Sequence, residues 1–113
     1  MKEKLEIIKE AEIISENTYQ KMKTIINHFY KVYEFVGKNK VDTFLLHLCM
    51  AIQRQEDEKE IIELGKEVES EIRNSNCYTD AKKILEELEK HYDFYLSYAE
   101  KLYCLIHIIN ILN

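Results

Sequence analysis

Apolar residues recur every three or four positions through most of the chain. Leu5, Ile8, Ser15 (a polar member), Tyr19, Met22, Ile26, Phe29, Tyr33 and Val36 follow a three-to-four register from the N-terminus to Gly37, which is the spacing of a single buried helix face. The pattern predicts either one long helix or two meeting near Asn17, where Asn17 and Gln20 can cap a second start, with Gly37 as a C-terminal cap. A further helix is expected from Val41 to Gln55, opened by Asn39 or Asp42, and the charged run after it reads as a turn. The next helix should cover about 58–73, with Ile61, Leu64, Val68 and Ile72 on one stripe, and end at Asn74-Ser75-Asn76. Another begins at a Thr79 cap and turns Ala81, Ile84, Leu85, Leu88 and Tyr92 inward. The last has the clearest start, a Ser97-x-x-Glu100 capping box, and runs to about Leu112. The expected fold is all-α, a compact bundle of about five helices forming one domain over residues 1–113.

Two of these helices depart from simple amphipathicity. Phe44, Leu45, Leu48 and Ile52 form one stripe, but Leu46 and Met50 lie on another side. In the last helix Leu102, Leu105, Ile106 and Ile109 are joined by Cys104, Ile108 and Ile111 around most of the circumference. A helix apolar all round must be buried on several faces, either centrally or at a subunit contact, and having two of them favours a homodimer. Each carries a single polar seam. Thr43, His47 and Arg54 share one flank of the first; Glu100, Tyr103, His107 and Asn110 share one face of the second, and each seam has a histidine near its middle. Buried polar groups need partners, so the seams should face each other, a cleft or an interface.

Composition narrows the remaining choices. The chain has 113 residues with two glycines and no proline, which removes the turn chemistry that strand-rich folds need repeatedly. Its net charge of −5, with Arg54 and Arg73 its only arginines, argues against direct nucleic-acid binding. The N-terminus alternates charges where a secretory signal would be apolar, and no apolar run is long enough to cross a membrane. Three cysteines without a framework spacing suit reduced thiols, so a cytoplasmic location without membrane insertion is expected.

His47 and His107 can be satisfied structural histidines, the ordinary role of a helical imidazole, or chemical groups; two matched seams make the second reading worth testing. His28 and His91 have charged neighbours and read as surface residues. A di-iron bundle needs Glu three residues before a histidine, and those positions hold Ile25, Phe44, Leu88 and Cys104. Cys104-x-x-His107 has no matching second pair for zinc. Neither a metal nor another cofactor is expected, and no phosphate loop or nucleophile elbow suggests an enzyme.

The segment His47-Leu48-Cys49-Met50-Ala51-Ile52-Gln53-Arg54 resembles the first histidine segment of the PTS regulation domain, or PRD. Glu100 through Asn110 is similar to the second, in which an acidic residue precedes a histidine by seven positions. Ile62 through His91, including Ala81-Lys82-Lys83-Ile84, resembles the helix pair between them, so the likeness spans about residues 18–112. It implies a dimeric helical module of bacterial sugar-operon regulators, whose histidines accept phosphoryl groups from the phosphotransferase proteins HPr or enzyme II components. His47 and His107 would then be the phospho-acceptors, with Arg54, Glu100, Tyr103 and Asn110 in support, and a separate effector protein would carry any effect on transcription or transport. The alternative is a helical dimeric interaction module whose histidines are vestigial and unphosphorylated.

Overall fold

The computed structural model describes residues 1–34 and 36–113. These form six helices: α1 Lys2–Glu10, α2 Glu16–Val32, α3 Lys38–Glu56, α4 Lys66–Arg73, α5 Tyr78–Tyr92 and α6 Tyr98–Leu112, with no strand among the described residues. The all-helical expectation holds, with one helix more than the round figure of five because the N-terminal apolar pattern is broken in two.

The break lies at Ser15 rather than Asn17. Glu12 takes a left-handed backbone (φ 60°), Ile14 turns into the core, and the Ser15 hydroxyl accepts from the Thr18 amide to open α2. Ser15 is fixed from outside as well. Its amide donates to Gln53 Oε1 at 2.8 Å and its hydroxyl to Glu56 Oε2 at 2.8 Å, so the end of α3 selects the cap. Gln20, expected to serve Asn17, instead donates to Glu16 within its own helix. From there Met22, Ile25, Ile26 and Phe29 are sealed in the core, and burial of a side chain such as Phe29 is worth about 2–3 kcal/mol.

Gly37 starts a helix where a stop was expected. With φ −55° it is the N-cap of α3, whereas α2 ends at Tyr33. Asp42 is not a cap. It pairs with the Met1 amino group at 3.4 Å and accepts the Tyr30 hydroxyl, tying together the starts of α1 and α3 and the end of α2.

The helix expected over about 58–73 shrinks to α4, because Glu58 is left-handed (φ 56°) and residues 59–65 are not helical. Of the expected stripe Ile72 is buried, Ile61 and Leu64 are half-buried, with Leu64 packed against the core, and Val68 is exposed. Helix α5 starts one residue before Thr79 with Cys77 as N-cap and no side-chain bond, and it buries Ala81, Leu85 and Leu88.

Helix α6 accounts for its own apolarity. It packs against α3, α5 and α4 and buries Leu102, Cys104, Leu105, Ile108 and Ile111, so most of its circumference is used within one chain. The Ser97 hydroxyl accepts from the Glu100 amide at 3.3 Å, the first half of the expected capping box. The second half is missing: the Ser97 amide donates to Gln55 Oε1 of α3 at 3.0 Å, which frees the Glu100 carboxylate for other work.

Candidate functional site

Helices α3 and α6 run antiparallel, since residues 40, 47, 54 and 55 meet 110, 107, 100 and 97 in turn. The two polar seams therefore face each other. The His47 and His107 rings stand 5.0 Å apart at 46°, and the Tyr103 ring stacks on His47 at 5.7 Å and 24°. One helical stretch away, Arg54 forks the Glu100 carboxylate: Nε donates to Oε2 at 2.7 Å and Nη2 to Oε1 at 3.0 Å. This two-pronged geometry is the strong form of the ion pair. Glu100 is 2% exposed and Arg54 26%, so the carboxylate is the member that depends on its partner.

His47 lies at the edge of this pair. Its Nε2 is 3.9 Å from Glu100 Oε1, beyond hydrogen-bond reach. It is the buried side-chain polar atom left without a partner among the described residues. Burial, the neighbouring His107 and the Arg54 cation together outweigh the attraction of Glu100 and push His47 down from 6.5 to about 4. Burial lowers His107 as well. Both rings are thus uncharged at neutral pH, with lone pairs available, and each is half-buried rather than sealed.

Four of the sequence-derived supporting and acceptor positions converge beside one another, and Tyr103 joins them. The Tyr103 hydroxyl leaves the site to donate to the Ile62 carbonyl at 2.9 Å. Asn110 does not belong to the group: it is exposed, and it is its main-chain carbonyl that accepts, from Lys40 at 3.2 Å. Thr43 bonds back to Asn39 of its own helix. His28 and His91 are exposed, as expected, on a groove of about 610 Å³ between α2 and α5 that shares no lining residue with the histidine pair. Cys104 is sealed, and burial pushes its thiol well above the usual range. Among the described residues no group of three or more His, Cys, Asp or Glu could hold a metal ion.

The Arg54–Glu100 pairing had a sequence signal that helix-wheel reading does not use. Arg54 lies seven residues after His47, and Glu100 lies seven before His107. In antiparallel helices that bring the histidines together, equal and opposite offsets bring the charges together. Glu89 offered no such signal: buried in α5, it accepts the Leu96 amide at 2.9 Å and lies 3.7 Å from Lys101, fixing the turn into α6.

The site is thus a pair of facing, uncharged histidines set beside a buried ion pair in a small all-α domain. The family model described as the PRD domain matches residues 23–111, most of the chain, and the protein belongs to the PRD family. Searches of curated proteins and of solved structures gave no match.

Proposed function

We propose that the protein is a non-enzymatic regulatory module of the bacterial sugar phosphotransferase system, in which His47 and His107 accept phosphoryl groups from HPr or an enzyme II component. The observation that carries this reading is the pair of uncharged imidazoles 5.0 Å apart on facing helices. In the transfer, a ring-nitrogen lone pair attacks the phosphorus of the donor's phosphohistidine. A P–N bond forms here, the donor's P–N bond breaks, and the proton lost by the accepting ring is matched by one taken up, through solvent, on the donor imidazole that departs. An imidazole held below its ordinary value is deprotonated at neutral pH and so is competent for the first step. On His47 the sealed Nε2 leaves Nδ1 as the nitrogen whose lone pair attacks.

A phosphoryl group adds a charge of about −1.5 to −2 by analogy with phosphorylated hydroxyls. Glu100 already occupies the Arg54 guanidinium, so a phosphate on either ring competes with Glu100 for that cation. The competition alters how α3 and α6 pack, and in a cytoplasmic homodimer it would pass to a separate effector protein. No helix among the described residues is long and apolar enough to cross a membrane.

Incubation of the protein with phosphorylated HPr or enzyme II donors, then intact-mass measurement, should show an acid-labile phosphoryl gain that His47→Ala/His107→Ala abolishes. No gain with any such donor, or an unchanged gain in the double variant, rejects the mechanism. The sealed, unpartnered Nε2 of His47 favours one second reading, an interaction module with vestigial histidines. Under it, single histidine substitutions change stability or dimerisation and no phosphoryl group is ever taken up.

A further inference from the structure

The stretch from Glu56 to Glu71 concentrates the acidity of the molecule. Eight of its sixteen residues are acidic and two are lysine, a net charge of −6 against −5 for the whole chain. It is not a plain solvated face, because apolar residues interleave with the charges. Ile62 is 84% exposed and Val68 39%, so apolar contact area stands beside the charges. Between residues 60–64, α4 and the first turns of α6 lies a cleft of about 240 Å³, floored by Ile61, Leu64 and Leu102 and rimmed by Glu60, Glu63 and Glu69. Glu69 has a cation within the chain, Arg73 at 3.2 Å; Glu60 and Glu63 have none among the described residues.

We propose that this cleft docks a basic, amphipathic segment of a protein partner, whose apolar side chains enter the floor while its lysines or arginines meet the rim. Charge complementarity selects the occupant. An acidic rim repels nucleic acid, anionic membrane and acidic peptides, and a second copy of this chain would bring the same −6 segment to a two-fold contact. The floor in turn offers nothing to a purely ionic ligand.

The cleft is also wired to the histidine pair. The Tyr103 hydroxyl holds the Ile62 carbonyl at 2.9 Å while the Tyr103 ring stacks on His47. A partner that presses on Ile62 therefore moves the ring that covers His47, and a change at His47 moves the docking surface. Docking itself does not depend on the histidines being phosphorylated, so its test stands apart from that of the proposed function.

The test uses the full chain and the amphipathic peptide LKKLLKKLLKKL, with LEELLEELLEEL as its charge-reversed counterpart, read by calorimetry and by amide and imidazole NMR. The expected result is micromolar binding of the basic peptide alone at low salt, weakened about tenfold in roughly 0.3 M salt. Shifts should be confined to residues 60–69, 97–103 and the His47 ring. Glu60→Lys/Glu63→Lys should weaken binding about tenfold or more, whereas Glu10→Lys/Glu34→Lys, an equal charge change at exposed positions elsewhere, should leave it within about twofold. Equal weakening by both pairs, or shifts mapping to another face, would overturn the proposal by reducing it to general charge attraction. So would an Ile61→Ser variant that converts a dimer to a monomer, since the cleft would then be a contact between copies.

Discussion

Replacing Arg54 with Met removes the cation paired with a carboxylate that is 2% exposed. The methionine keeps much of the aliphatic stem, so packing changes little and the electrostatic loss dominates. Breaking a buried pair from one side costs about 3–5 kcal/mol; because Arg54 is itself 26% exposed, water reaches part of the site and about 2–3 kcal/mol is expected. For a domain of this size that lowers Tm by about 10–20 °C. The stranded carboxylate also acts on His47 Nε2, 3.9 Å away. At an effective dielectric constant of about 20, a carboxylate and an imidazolium at that distance attract by about 4 kcal/mol, or about three pK units. Burial and His107 still oppose protonation, so His47 should rise from about 4 to between about 5 and about 6. Calorimetric melting and an NMR titration of the His47 ring read the two consequences separately. Arg54→Met/Glu100→Leu should recover most of the lost stability, since removing both charges leaves nothing stranded. A single variant that loses under about 1 kcal/mol while His47 stays where it was would refute the account of Glu100 as a carboxylate dependent on Arg54.

Acid should destabilise the fold through the histidine pair. Both histidines are lowered in the folded chain, so the unfolded chain takes up protons first: stability is complete above about pH 6.5 and falls by about 3 kcal/mol through His47 as the pH drops towards 4, with His107 adding in the same direction. His47→Phe should flatten that slope in urea titrations run across the window, and an unchanged slope would count against it. Glu89→Ala should cost about 1–3 kcal/mol by stranding the Leu96 amide, seen as a lower urea midpoint with an unchanged m-value. Tyr103→Phe keeps the ring on His47 but frees the Ile62 carbonyl; global stability should fall by no more than about 1 kcal/mol, while amide exchange across residues 59–65 accelerates. Of the thiols, Cys49 and Cys104 are buried and pushed up by that burial, and Cys77 is half-buried. An aromatic disulfide reagent should therefore titrate one thiol in the native protein and three after unfolding.

Features set by residue order alone are legible in the sequence. The three-to-four spacing in α2, α3, α5 and α6 placed those helices, because an amphipathic stripe and a Ser97 cap are local properties that survive in almost any packing. The absence of proline and scarcity of glycine excluded a strand-rich fold for an equally local reason. The two polar seams were also visible, since helical periodicity alone puts His47 with Arg54 and Glu100 with His107. Tertiary structure decided everything that depends on which helix lies opposite. The end of α3 moved the first helix break to Ser15 by supplying Gln53 and Glu56. It also drew Ser97 away from its own capping box, leaving the Glu100 carboxylate for Arg54. Residues 59–65 left the helical path after the left-handed Glu58, although Ile61 and Leu64 remain half-buried. The antiparallel run of α3 and α6 set the imidazoles side by side and left Asn110 outside. A sequence specifies faces, but a shared buried site needs two faces to meet in one register, and only the close-packed core fixes that register.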